Sequence, residues 1–205
     1  MTLANYLMRL GGVLALALSL AACDRPGGAV SKPVQFKGVD ITGADYARSL
    51  SLPDANGRPR TLADFKGKVT VVFFGYTQCP DVCPSTLAEL AQVKKALGAR
   101  GEQLQGVFVT VDPERDTPAI LQSYMASFDP SFVALRGTVE QTKAVAKEFK
   151  IFFAKVPGKT EGSYTMDHTA AAIVLDASGR PRLYERYGGG VEALTTDIKA
   201  LLDAG

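Results

Sequence analysis

Residues 68–84 read KVTVVFFGYTQCPDVCP, and this stretch decides how the chain is organised. Its first nine residues form an apolar, β-branched and aromatic run that ends beyond Gly75, the pattern of a strand buried on both faces. Downstream, Leu87, Leu90, Val93 and Leu97 recur at three- and four-residue spacing, the stripe of an amphipathic helix. Pro84 is tolerated only in the first turn of that helix, where its missing N–H has no partner to lose. The helix is therefore expected to begin close to Cys83, with Cys79 and Cys83 both at its N-terminus.

That placement predicts that at least one of the two cysteines is more reactive than a free one. Unpaired N–H groups and the positive end of the helix dipole favour thiolate over thiol, suiting the pair to nucleophilic attack or metal ligation. At i and i+4 the two Cα atoms would lie about 6 Å apart, close enough for a disulfide as well. A purely structural staple is the weaker reading, because closing so short a loop would stabilise by only about 2 kcal/mol.

Outward from this core, the chain suits one substantial hydrophobic core: 205 residues, 46% hydrophobic and 21% charged. The 23 basic and 21 acidic residues are interspersed, with none of the lysine and arginine clustering that a nucleic-acid site needs. Nucleic acid is thus not an expected partner. Residues 1–22 carry Arg9, an apolar run from Leu10 to Leu20, and Ala21-Ala22 before Cys23, the pattern of an export signal. Leu20-Ala21-Ala22-Cys23 resembles a bacterial lipobox, which implies lipidation of Cys23, and Asp24 resembles the signal that retains a lipoprotein in the inner membrane. Residues 23–33 then read as a lipidated tether rich in Pro, Gly and Ser, and residues 34–205 as the folded domain. With Cys23 lipidated, Cys79 and Cys83 remain as an even pair in an oxidising compartment.

Within the domain, residues 36–42 and 51–52 are expected as short strands, followed by a turn at 54–57 and a turn or short helix at 61–67. Residues 104–111 form a second buried strand; Thr117 caps a helix with Pro118 at its first position, and Thr138 with Gln141 makes a capping box for another. Residues 150–166 read as an exposed hairpin or loop, 170–176 and 182–187 as two strands, and 191–202 as a closing helix. Alternating strands and helices ending in β-β-α predict an α/β, thioredoxin-like fold: a central mixed sheet flanked by helices, with an N-terminal strand extension.

Three motifs carry a family resemblance: GYTQCPDVCP at 75–84, VDPERDTP at 111–118 and YTMDH at 164–168. Together they resemble the SCO/SenC family of copper-binding thioredoxin-like proteins over residues 34–203. The resemblance implies copper, as Cu(I) and Cu(II), held by Cys79, Cys83 and His168. It further implies a metallochaperone at the periplasmic face of the inner membrane, serving the binuclear copper centre of a respiratory oxidase. The expected partners are the copper-receiving oxidase subunit, an upstream copper donor or thiol reductant, and the membrane through the lipid anchor. The alternative is a thiol-disulfide oxidoreductase in which Cys79 and Cys83 form the catalytic redox pair and reduce the cysteines of the copper-receiving partner.

His168 also draws attention to itself: it is the single histidine of the chain and directly precedes an apolar strand. In thioredoxin-like folds the loop entering that strand faces the active-site helix, usually with a proline, and residues 166–171 contain none. A sulfur, sulfur, nitrogen donor set suits copper in both oxidation states, whereas structural zinc would need a fourth ligand from a carboxylate or water. A peroxidase of the peroxiredoxin kind requires Thr-x-x-Cys, and Thr77 stands only two residues before Cys79. Asp81 is expected to cap the helix or tune the site; Asp112, Glu114 and Asp116 to form either an acidic docking loop or a solvated turn; Arg115 to pair within that loop; and Phe152 and Phe153 to pack in the core rather than form a docking patch.

Overall fold

Two strands form the centre of the molecule because almost nothing in them is polar. β4 (Val69–Gly75) and β5 (Leu104–Thr110) are buried along their whole length and pair in parallel. The computed structural model describes residues 35–205, and its remaining strands are arranged around this pair. β1 (Val39–Asp40), β10 (Pro181–Arg186), β9 (Ala171–Leu175), β4, β5 and β6 (Val133–Leu135) make a six-stranded sheet in that order. β4 and β9 are antiparallel while β5 and β6 are parallel, so the sheet is mixed, as expected of a thioredoxin-like fold.

Helices α1 (Val82–Ala96), α2 (Pro118–Ala126), α3 (Val139–Glu148) and α4 (Val191–Asp203) complete the alternation. Thr117 accepts from the Ile120 N–H, and Thr138 and Gln141 form the anticipated capping box. Phe73, Phe74, Phe108 and Phe149 are among the largest fully buried side chains, each contributing about 2 kcal/mol through burial. Two small hairpins lie outside this sheet: β2 (Ser51–Pro53) with β3 (Pro59–Thr61), and β7 (Phe153–Pro157) with β8 (Tyr164–His168).

The N-terminal strand is shorter than the 36–42 pattern suggests, and the cause is local. The Lys37 and Gly38 N–H groups donate to the Asp197 carboxylate at 2.7–2.9 Å instead of to a neighbouring strand. Only Val39 and Asp40 then pair with β10. β6 has no counterpart in the sequence reading, because three residues are too few to display a period. The export signal, the tether, Cys23 and residue 34 lie outside the described residues.

Candidate metal centre

β4 ends at Gly75, and the chain turns through residues 76–81 into α1, which begins at Val82. A side chain at 75 would clash with the site: a Cβ there would lie 2.7 Å from Cys83 Sγ and 2.9 Å from the Phe108 ring. Glycine thus lets the first turn of α1 seat its sulfur directly against the end of the central strand. Cys83 is fully buried, Cys79 is partly exposed, and both are free thiols. The Cys83 N–H donates to Cys79 Sγ at 3.5 Å, so the helix N-terminus does contact the first sulfur.

His168 arrives from the opposite side, on the hairpin. It is the last residue of β8, paired across the ladder with Phe153, rather than a residue of the connecting loop. Its ring meets the edges of Phe73 and Tyr76, with centroids 6.0 Å away in each case. Nδ1 lies 3.2 Å from the Thr169 carbonyl and Nε2 lies 3.3 Å from Cys83 Sγ. A carbonyl can only accept, so Nδ1–H donates to it and Nε2 is left as the acceptor for the Cys83 S–H. Fixing the tautomer through a backbone carbonyl is how metal-binding imidazoles are commonly oriented. Burial also holds the His168 pKa below its ordinary value of 6.5, keeping the ring neutral and its lone pair available at pH 7.

At least one of the two sulfurs is expected to be activated, and Cys83 is not that one. Burial pushes this thiol far above its ordinary value, because the apolar surroundings penalise the charged form more than the backbone hydrogen bond from Tyr76 favours it. Without a metal, its proton occupies the line between Cys83 Sγ and His168 Nε2. A cation that replaces this proton removes the penalty, since the thiolate is then no longer an uncompensated charge.

One donor atom from each of Cys79, Cys83 and His168 lies within 4.8 Å of the other two, and no carboxylate belongs to that group. The three residues singled out in the sequence are thus brought together; several others behave differently. Asp81 occupies the N-cap position, but its side chain makes no capping bond and is exposed. Asp112 and Asp116 are 2% and 0% exposed, so they form neither a docking loop nor a solvated turn. Glu114 is exposed and pairs with Lys155 at 2.7 Å. Arg115 pairs within its loop with Asp112, yet also reaches the Tyr164 carbonyl at 3.0 Å. Phe152 is 64% exposed rather than packed in the core, while Phe153 is partly buried against it. Thr77, Tyr164 and Gly75 support the site without having been given a role in it; their membership of the motifs at 75–84 and 164–168 was the signal that could have found them.

A mixed thioredoxin-like sheet with one cysteine in the first turn of its first long helix, a second in the loop just before it and a facing histidine defines a thioredoxin-fold protein equipped for metal binding. The family model described as SCO1/SenC matches residues 39–203, and the chain belongs to this family. It is 35% identical over 171 residues to the SCO2-like protein of Rickettsia felis, covering 82% of this chain and 80% of that one. The copper-bound structure of Bradyrhizobium japonicum ScoI shares 39% identity with a TM-score of 0.69, over 76% of this chain and 99% of that chain. Copper-bound yeast Sco1 shares 28% identity with a TM-score of 0.72, over 79% of this chain and 91% of that chain.

Proposed function

We propose that this protein is a copper metallochaperone that delivers copper to the binuclear copper centre of a respiratory oxidase. The observation that carries this reading is the convergence of two cysteine sulfurs and one imidazole nitrogen within 4.8 Å. Thiolates match Cu(I), and the imidazole extends the set to Cu(II), so the same three ligands, Cys79, Cys83 and His168, hold the cargo in both states. Zinc would prefer a fourth protein donor, and the clustered donors among the described residues number three. The copper-bound relatives support the same metal. Partial exposure of Cys79 gives an acceptor a sulfur to approach, while Cys83 stays shielded.

The same asymmetry favours a second reading, a thiol-disulfide oxidoreductase. Cys79 thiolate would attack a partner disulfide, forming a mixed disulfide and releasing one partner thiolate. Cys83 would then displace the second, leaving a Cys79–Cys83 disulfide that a thiol reductant must reduce. Metal analysis of the purified chain, with and without reductant, tests the leading reading: about one copper per chain is expected, as three converging donors make one site. Absence of copper uptake under reducing conditions rejects it.

In this reading the domain works at the periplasmic face of the bacterial inner membrane, anchored by lipid on Cys23 and retained there by Asp24. Cys23→Ala is expected to abolish labelled-lipid incorporation and release the protein from membranes. Label that survives this substitution, or wild-type protein recovered free in the periplasm, rejects the anchor.

A further inference from the structure

The loop at 112–116 touches both halves of the candidate centre without supplying a ligand. At one end, the buried Asp116 accepts from the Thr77 hydroxyl at 2.6 Å, the Thr77 N–H at 3.2 Å and the Thr110 hydroxyl at 2.5 Å. Thr77 stands two residues before Cys79, so these bonds fix the start of the segment that carries the first sulfur.

The rest of the loop grips the hairpin. Arg115 is ion-paired with the buried Asp112, donates from Nη1 to the Tyr164 carbonyl at 3.0 Å, and places its guanidinium carbon 3.6 Å from the Tyr164 ring centroid. The Tyr164 hydroxyl donates back to Asp112 Oδ1 at 2.9 Å. Lys155 lies 3.9 Å from the same ring centroid on β7 while pairing with Glu114 of the loop. Tyr164 opens β8 and His168 closes it, so the pinned residue and the imidazole share one short strand.

This pinning matters because the hairpin is not paired with the six-stranded sheet. A two-stranded hairpin is marginal alone; its His168 end is tied by two residues to β9 of the sheet, while its Tyr164 end has the side-chain links to the loop. Met166 is buried and gives β8 an apolar anchor, but apolar contact is non-directional. A stacked, hydrogen-bonded guanidinium fixes direction as well as distance.

We propose that the 112–116 loop is a template that sets the spacing between the thiol half and the imidazole half of the centre, with Arg115 and Asp116 as its positioning residues. The inference rests on the metal-centre reading above. The two residues govern different halves. Arg115 acts on His168 through Tyr164, and Asp116 acts on Cys79 through Thr77.

The test adds Cu(I) or Cu(II) alone to the purified full chain and follows affinity, thiolate-to-Cu(II) charge-transfer absorption and nitrogen coupling in electron paramagnetic resonance. Arg115→Lys keeps the charge but loses the planar stack; it should weaken Cu(II) about 10–100-fold and alter the nitrogen coupling, with Cu(I) within about threefold of wild type. Asp116→Leu should shift the charge-transfer band and weaken both oxidation states, and Asp116→Asn, which keeps an acceptor for Thr77, should largely restore them. If Asp116→Leu fails to fold, Thr77→Val removes one of these bonds and is expected to shift the same band. Folded Arg115→Lys and Asp116→Leu or Thr77→Val proteins whose spectra and affinities match wild type would overturn the template. Wild-type protein that takes up no copper, or shows no histidine nitrogen coupling, overturns the underlying metal-centre reading instead.

Discussion

Replacing both sulfurs, as Cys79→Ser with Cys83→Ser, is expected to reduce bound copper from about one per chain to near zero. A serine hydroxyl is a hard, neutral donor at pH 7, so Cu(I) would lose both anionic ligands and keep only the imidazole of His168. The fold should survive, because serine is nearly isosteric with cysteine. At 83 its hydroxyl also inherits an acceptor in His168 Nε2, which lies 3.3 Å from the present sulfur. Circular dichroism and metal analysis on the same preparation check both halves of this expectation. Unchanged copper stoichiometry in the folded double variant would locate the site elsewhere.

The same argument sets the pH dependence of the wild type. Burial keeps the Cys83 thiol protonated in the metal-free protein throughout the physiological range, so binding must release that proton. Protons therefore compete with copper, and affinity should fall as the medium is acidified. A titration in which affinity rises toward low pH would contradict a thiolate site.

Much of this centre was legible in the sequence because its parts obey local rules. Pro84 fixes where α1 can start, and that places Cys83 in its first turn; Cys79, expected on the same turn, lies in the loop just before the N-cap Asp81. The long apolar run at 68–76 and the capping residues Thr117 and Thr138 likewise act within a few positions of themselves. Elements governed by distant partners were less readable. The truncation of β1 depends on Asp197, about 160 positions away, and the burial of Asp116 depends on donors from Thr77 and Thr110. A DPERD segment looks solvated in one dimension, since acidic residues are seldom fully buried. Nothing in its spacing announces that Thr77 and Thr110 will satisfy Asp116, or that Tyr164 will cover Arg115. Which of the two sulfurs the helix end would leave unactivated was unreadable for a related reason. Dipole position is readable from Pro84, whereas the apolar packing around the sulfur is a property of the assembled sheet.

His168→Ala separates the two functional readings, because they make different demands on the imidazole. A disulfide reductase needs two thiols, and this substitution leaves Cys79, Cys83 and the Cys83 N–H contact to Cys79 Sγ in place. The backbone of β8 should persist, since its ladder to β7 is made by main-chain groups. A copper donor, in contrast, must hold the ion until a partner takes it, and removal of Nε2 deletes one of three ligands and the only imidazole in the chain. The variant is therefore expected to retain a redox-active cysteine couple while losing Cu(II) affinity by more than the roughly 10–100-fold that removing a supporting group costs. Cu(I), which the two soft thiolates suit on their own, should be affected less. In cells, metallation of the receiving oxidase subunit should be abolished. Thiol-disulfide exchange rate, affinity for each copper state and partner metallation are to be measured on the one variant. Normal partner metallation alongside a collapsed copper affinity would mean that electrons, rather than copper, are what Cys79 and Cys83 deliver.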